Sequence, residues 1–448
     1  MKLRICISLV MVFLGSLSMA QEMLYKEQAI QIALEQNFGI LMSKNNLEIA
    51  DNNKSVFNSG YLPTIASTAG ANYNGSNSTI AFPGQTLDDG TPRPDLILSN
   101  AESQRYNAGI SLNYTLFDGL GRMYTYKKLK EQYSISELQL RSTIEQTILQ
   151  LFSVYFKVAQ LSESTDIFAT TLAISKERKQ RAELAFTYGQ SNKLAVLNAA
   201  VDVTNDSVNL LQIQLQKDNA IRDLNLLLNQ PMNRSFMVDT TINFLEELVL
   251  TSKIEDAQLK NVELLKAQAN EKINEYDIKV ARSGYLPKLG LTGSYGWNLN
   301  QSADSAFFPG TDNTTYSTGI GASLSWNLFD GGRTVIQTKN AQLNSVNSKL
   351  NSAQITKSFQ RDLENAKHNY TVVMRIYAIQ QQQVVTSSYN FERSKSQYEL
   401  GSITAVEFRQ AQLNLRNAQN QWTIAKYEAK LAELQLLQLS GELLNTAL

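Results

Sequence analysis

The sequence contains an internal duplication that covers nearly its whole length. The pentapeptide Ser-Gly-Tyr-Leu-Pro occurs at residues 59–63 and again at 283–287, and Leu-Phe-Asp-Gly occurs at 116–119 and again at 328–331. The offset between copies is 224 residues for the first motif and 212 for the second, so the 12-residue difference lies between the two motifs. A chain built this way is expected to fold as two similar structural repeats.

Segments of alternating hydrophobicity lie between the two motifs in each copy. They cover residues 64–73 and 106–117 in the first copy, and 288–298 and 317–329 in the second. Apolar residues at every second position alternate with Gly, Ser, Thr and Asn, which is typical of a strand with two different faces. The pattern therefore predicts four strands, the first of which is the weakest.

Two structures fit strands of this kind. In a soluble sandwich the apolar face packs inward, whereas in an outer-membrane barrel it contacts lipid. The barrel is favoured, because about ten residues suffice to cross a bilayer at a tilt and the rest of the chain offers no second sheet. The residues predicted to face lipid are Ile110, Leu112, Tyr114, Leu289, Leu291, Trp297, Ile320, Leu324 and Trp326.

Four strands are too few to close a membrane barrel, since the smallest have about eight. Two, three or four copies of the chain would supply enough strands. The strand pattern does not choose among these numbers.

The remaining sequence has helical periodicity. Apolar residues from Phe408 to Leu439 follow an unbroken heptad pattern, which predicts coiled-coil packing; in the first copy Asp206 and Lys217 interrupt the same pattern. The predicted helices are 24–59, 120–187 and 191–229 in a first repeat of residues 21–230, and 250–283, 333–399 and 403–441 in a second repeat of residues 250–448, with a connector at 231–249. A helix of the longer kind would measure about 100 Å.

The N-terminus has the pattern of an export signal. Lys2 and Arg4 precede an apolar run at residues 5–14, and Ser18-Met19-Ala20 gives small residues before a cleavage site. Residues 1–20 are therefore predicted to be a signal peptide.

Composition excludes several classes of function. The chain has one histidine, His368, and one cysteine, Cys6, too few for a His/Cys zinc site or a Cys-His dyad. Lys plus Arg equals Asp plus Glu at 41 each, which does not indicate a nucleic-acid partner. No phosphate-binding loop or nucleophile motif is found. We expect no catalytic residue, no cofactor and no metal site, and hence no enzyme.

The two duplicated motifs, together with the glycine-containing helix turns at residues 188–191 and 400–403, resemble those of the TolC-like outer membrane efflux proteins. Members of this family are the exit ducts of tripartite pumps and type I secretion systems. The resemblance implies a mainly α chain with membrane β structure, and a homotrimer with a shared 12-stranded barrel and a 12-helix coiled-coil tunnel. It also implies the outer membrane of a Gram-negative bacterium, extension into the periplasm, a periplasmic adaptor and an inner-membrane transporter.

The same resemblance implies two sites. The helix turns would contact the adaptor, which places Tyr188, Gly189, Gln190, Leu400, Gly401 and Ser402 at a docking end. Glu407 and Gln410 would lie at the pore entrance, where three copies of Glu407 would form an anionic ring that favours cations.

A passive export duct is the function that these features favour. The alternative is a secreted or periplasmic coiled-coil adhesin or stalk, which predicts a uniform heptad pattern without two-faced strands. A periplasmic hydrolase would need clustered carboxylates, whereas the acidic residues here are scattered along helices.

Overall fold

The computed structural model of the chain describes residues 22–302 and 310–446, so the predicted signal peptide lies outside the described residues. The strands are β1 (Glu22–Leu24), β2 (Thr64–Ile80), β3 (Leu96–Phe117), β4 (Phe236–Val238), β5 (Lys288–Ser302) and β6 (Thr311–Ser325). The helices are α1 (Lys26–Gln36), α2 (Phe38–Asn53), α3 (Gly121–Thr187), α4 (Lys193–Leu227), α5 (Glu247–Glu255), α6 (Ala257–Lys260), α7 (Val262–Arg282), α8 (Arg333–Glu399) and α9 (Ala405–Leu439). Among the described residues, no helix is both long and apolar enough to cross a bilayer.

The chain divides into two compact units. The sheet unit comprises Ile49–Tyr133 and Ala269–Lys349, and the helical unit comprises Met1–Glu48, Ser134–Gln268 and Leu350–Leu448.

The sheet unit is built on four antiparallel strands in the order β2-β3-β5-β6. Their register places Ile65, Leu112, Gly293 and Ile320 in one cross-strand row. Since side chains alternate between faces, this row and every second row beyond it form one apolar face. The rows between them carry Gly, Ser, Thr and Asn. The two-faced character predicted from the alternation is therefore present across all four strands.

All four strands extend beyond the residues that the alternation predicted, since β5 continues to Ser302 and β6 begins at Thr311, where 298 and 317 were expected. β2 continues to Ile80 and β3 begins at Leu96, where residues 64–73 and 106–117 were expected. The added residues are mostly small or polar on both faces, so their hydrophobic pattern carries no strand signal. Their backbones still pair, with an irregularity between Ser76 and Ser78. β6 ends at Ser325, before the expected residue 329.

The helix expected over residues 24–59 is divided between α1 and α2, and the one expected over 250–283 between α5, α6 and α7. Asparagine side chains start the new helices. Asn37 Oδ1 accepts hydrogen bonds from the backbone N–H of Gly39 and Ile40, and Asn261 Oδ1 accepts them from Glu263 and Leu264. An asparagine that caps nearby N–H groups favours a helix start over helix continuation.

The two asparagines also tie the repeats together in the same way. Asn37 Nδ2 donates to the carbonyl of Leu227 at 3.0 Å, and Asn261 Nδ2 donates to that of Leu439 at 3.0 Å. The four residues belong to the helical unit, and each bond holds the start of a helix against the end of a return helix. The duplication thus extends to individual hydrogen bonds.

The core of the helical unit is aromatic and aliphatic. Phe152, Tyr155 and Phe156 of α3 are fully buried, and Phe156 packs on Tyr427 of α9 with ring centroids 5.6 Å apart. The Tyr155 hydroxyl donates to the carbonyl of Leu24 at 2.6 Å and accepts from the backbone N–H of Asp239 at 2.9 Å. β1 and β4 pair in parallel, and one buried hydroxyl therefore holds this pair of strands against α3.

The Leu-Phe-Asp-Gly motif makes the junction between strand and long helix. Asp118 accepts a hydrogen bond from the backbone N–H of Arg122 at 2.9 Å, and Asp330 accepts one from that of Thr334 at 3.0 Å. Both carboxylates thus satisfy an N–H in the first turn of a helix. The two duplicated aspartates therefore cap the two long helices.

We predict that Gly119→Ala destabilises the protein more than Gly331→Ala. Both glycines have φ of +71°, a conformation that costs other residues about 1–2 kcal/mol. A Cβ at Gly119 would also lie 2.5 Å from the carbonyl oxygen of Ser283, whereas one at Gly331 meets nothing within 4 Å. Thermal unfolding of the detergent-purified variants, followed by circular dichroism, checks this. Equal losses in both variants would show that the close approach to Ser283 costs nothing.

Candidate functional site at the helix turns

The two helix turns have the same backbone structure. After α3, Gly189 N–H donates to the carbonyl of Phe186 and Gln190 N–H to that of Ala185; after α8, Gly401 and Ser402 make the equivalent bonds to Tyr398 and Gln397. This is the Schellman arrangement, which needs a positive φ at the glycine. The values are +70° at Gly189 and +73° at Gly401.

All six turn residues predicted to dock a partner are exposed. Tyr188 is 75% exposed and Leu400 is 81% exposed, so each turn presents one large apolar side chain. Gly189, Gln190, Gly401 and Ser402 surround them with backbone and polar groups. Whether a partner covers these turns stays a prediction.

Glu407 has a local role at the start of α9. Thr404 caps α9, its hydroxyl accepting from the Glu407 N–H, while the Glu407 carboxylate accepts from the Thr404 N–H at 2.8 Å. This reciprocal pair is a capping box. Hydrogen bonds from the Thr404 backbone and hydroxyl hold the pKa of Glu407 below its usual range. Gln410, also exposed, donates to Asn414 at 2.8 Å.

A groove of about 940 Å³ lies between the two turns, within the helical unit. Its wall combines apolar side chains from the start of α4 and α9 with charged side chains from the end of α3. The residues that line it include Arg178, Arg181, Gln190, Leu194, Val201, Asp202, Glu399, Gly401, Val406 and Arg409.

A buried ionic cluster lies beside this groove. Asp206 of α4 is 1% exposed, and its carboxylate accepts from both terminal nitrogens of Arg409, at 2.7 and 2.8 Å, and from the Ser175 hydroxyl at 2.6 Å. Arg178 of α3 pairs with Asp202 at 3.1 Å. The cluster therefore connects α3, α4 and α9 immediately behind the turns.

Burial by itself would raise the pKa of Asp206. The hydrogen bonds from Arg409 and Ser175, together with the charges of Arg409 and Arg416, outweigh burial and hold that pKa below its ordinary value. The carboxylate is thus ionised at neutral pH, and its bidentate contact with Arg409 is of the strong, charge-assisted kind.

The sequence contained one signal for this cluster, the interruption of the heptad pattern at Asp206. Nothing in the spacing marked Arg178 or Arg409 as its partners, because the three residues are brought together only by the packing of three helices. The other interruption, Lys217, lies partly exposed on α4.

Those residues predicted to face lipid that lie within the strands share the apolar face of the sheet. In the single chain Ile320 is 91% exposed, and Ile110, Leu112, Leu324 and Trp326 are also exposed. Trp326 follows β6, and its indole N–H donates to the carbonyl of Tyr285 at 3.1 Å. Tyr114, Leu289, Leu291 and Trp297 are partly covered by their neighbours.

A two-faced antiparallel sheet combined with long paired helices is the architecture of an outer membrane export channel. The family model described as outer membrane efflux protein matches residues 29–230 and 253–442, one match in each repeat. The chain belongs to the outer membrane efflux protein family. It is accordingly an outer membrane protein of export systems.

Individual relatives agree with this assignment. The outer membrane protein TolC of Vibrio cholerae is 24% identical over 389 residues, which cover 86% of this chain and 83% of the relative. The pyoverdine export outer membrane protein OpmQ of Pseudomonas aeruginosa is 23% identical, with 80% and 74% covered. The CmeC outer membrane channel of Campylobacter jejuni superimposes with a TM-score of 0.74 at 18% identity, with 93% and 86% covered, and shows the same fold.

We predict that Asp206→Asn lowers stability at neutral pH by about 3 kcal/mol, because it removes one partner of a buried ion pair. An Asp with a lowered folded-state pKa contributes stability above its unfolded pKa of about 3.8 and loses it as pH falls through the folded value. The gap in melting temperature between wild type and variant should therefore stay constant down to about pH 4 and narrow below it.

Asp218→Asn is the matched control, since Asp218 is an exposed residue of the same helix. It should leave the melting temperature unchanged at every pH. A gap for Asp206→Asn that persists undiminished well below pH 3.8 would contradict the assignment of the stability to an ionised Asp206.

Proposed function

We propose that three copies of this chain assemble into a passive duct that spans the outer membrane and extends into the periplasm. Four strands from each copy would close a 12-stranded barrel, and the helices would form a tunnel. A periplasmic adaptor and an inner-membrane transporter would complete the export system at the helix turns. Transport of this kind needs no catalytic chemistry in this chain.

The observation that carries the proposal is the sheet. Within the described part of the chain, β2 and β6 pair on one side only, and the apolar face includes Ile110, Ile320 and Leu324, all more than half exposed. In lipid every backbone N–H and C=O must be paired within protein. Joining β6 of one copy to β2 of the next would satisfy both edges while the apolar face contacts acyl chains.

A second observation supports assembly outside the sheet. On α4 an exposed apolar stripe follows heptad spacing, on the side of the helix opposite to its buried residues. Its members are Leu194, Leu197, Val201, Val208, Leu211 and Leu215. Such a stripe is typical of a coiled-coil seam that awaits a partner helix, and another copy of the chain would supply one.

The sheet edges alone are compatible with two, three or four copies. The number three comes from the family resemblance, as do the adaptor and the transporter. Long helices support the periplasmic position, because 67 residues measure about 100 Å, far more than a bilayer is thick.

The helix turns are proposed as the docking end for the adaptor. Tyr188 and Leu400 are the most exposed large apolar side chains there, and the groove between the turns offers both apolar and charged walls. The ring of three Glu407 carboxylates at the pore entrance also remains part of the proposal. Its capping bonds keep the carboxylate ionised and hold it at the start of α9.

We predict that Leu211→Lys weakens the assembly, because it places charges in the proposed seam, where Leu211 is 65% exposed in the single chain. Detergent-extracted protein should run as a heat-modifiable trimer for wild type and mainly as a smaller species for the variant. Gln216→Lys adds the same charge at an exposed position of the same helix, five residues after Leu211 and outside the heptad positions of the stripe, and should remain trimeric. A wild-type protein found only as a soluble monomer in the periplasm would exclude the duct.

We predict that Leu400→Glu abolishes adaptor docking while the trimer persists, since the residue makes few contacts within the chain. Cross-linking in the native host followed by purification of the tagged duct measures the adaptor that it retains. Leu259→Glu is a matched control, because Leu259 is 74% exposed in α6 and outside the helix turns. Undiminished cross-linking in Leu400→Glu would move the docking site elsewhere.

A further inference from the structure

The polar face of the sheet carries charges of one sign only. Its register rows run from Thr64, Asn113, Thr292 and Gly321 at one end to Asn74, Ser103, Ser302 and Thr311 at the other. In these rows and at the start of β5, the charged residues on the polar face are Arg105 and Lys288. The two acidic residues of the four strands, Glu102 and Asp312, are on the apolar face, since they pair with Gly75 and Gln301 in the alternate rows.

Arg105 belongs to a row that is otherwise made of asparagine. The row consists of Asn72, Arg105, Asn300 and Asn313. Arg105 Nε donates to Asn300 Oδ1 at 2.7 Å, which fixes the guanidinium group along the row. The Arg105 side chain is exposed, so its charge is available to solutes on this face.

No carboxylate of the described residues forms an ion pair with Arg105 or Lys288. Two other cations of the sheet unit do have carboxylate partners, since Arg122 pairs with Asp118 at 3.2 Å and Lys128 with Asp277 at 2.6 Å. Within the described part of the chain, the two cations of the polar face therefore have no carboxylate partner.

We propose that Arg105 and Lys288 make the barrel section of the duct prefer anions, so that small anionic solutes are the cargo class this section favours. The inference rests on the proposed function, because only a closed barrel turns the polar face into a lumen. Three copies would contribute two belts of three positive charges. Rings of Arg and Lys are the usual device for anion preference in pores, as rings of Asp and Glu are for cations.

The two belts act separately from each other. Residues 288 and 300 are 12 positions apart on β5, about 40 Å along the strand, while the Debye length at physiological salt is about 8 Å. The proposed Glu407 ring belongs to the helical unit and has the opposite sign. The two sections of the duct would therefore select in series, and each can be measured after the other is neutralised.

The test is the reversal potential of single channels in neutral phosphatidylcholine bilayers under an about tenfold KCl gradient at low salt. Glu407→Gln serves as the background, so that the barrel dominates selectivity. In this background we expect chloride to permeate better than potassium. Adding both Arg105→Gln and Lys288→Gln should lower the chloride-to-potassium permeability ratio roughly twofold or more. Arg105→Lys keeps the charge and should keep the ratio. Arg93→Gln, which removes a positive charge from the β2–β3 loop, should also leave it unchanged.

Three results would overturn the inference and are distinguishable. If channels form but the doubly neutralised variant keeps the permeability ratio of its background, the cations do not set selectivity and the duct stands. If wild-type protein gives no conductance in any preparation, the proposed duct itself fails and the inference with it. If Arg105→Lys lowered the permeability ratio as much as neutralisation does, the effect would come from the hydrogen bond with Asn300. The positive charge would then not be its cause.

Discussion

The structure depends on a sheet that the single chain leaves incomplete. Its apolar face is largely uncovered, and its edge strands β2 and β6 each pair on one side only among the described residues. Unpaired backbone groups in hydrocarbon cost several kcal/mol each, so a membrane sheet of this kind is stable only when closed. Closure by further copies is the simplest solution, and it gives the exposed apolar stripe of α4 the same explanation as the exposed face of the sheet.

The sequence predicted the parts of the fold that depend on periodicity and duplication. Alternation at Ile110, Leu112 and Ile320 identified the apolar faces of β3 and β6. The division of the predicted helices at Asn37 and Asn261 could not be read from hydrophobicity, because a single asparagine hardly changes a helical pattern. The offset of 224 between them equals that of the Gly-Tyr-Leu-Pro motif, so the duplication itself held the missing signal.

At the helix turns too, features set by neighbouring residues were predictable from the sequence, whereas contacts between residues far apart in the chain were not. Gly189 and Gly401 were predictable because a Schellman turn requires a positive φ at one residue. The cluster of Asp206, Arg409 and Arg178 was not, since its members come from three helices and meet only through packing. A buried charge is retained at a heptad position only when partners reach it. An interruption such as Asp206 is therefore evidence for a partner whose identity the heptad does not reveal.

The charges along the proposed duct also explain how a passive channel can discriminate without trapping its cargo. A solute must be attracted strongly enough to enter each section of the duct, but bound weakly enough to leave it. Isolated belts of three charges, separated by several Debye lengths, give shallow potentials of limited range. Opposite signs at the helix end and in the barrel prevent any single ion from being stabilised along the whole path. Strong selection of cargo would then fall to the proposed transporter.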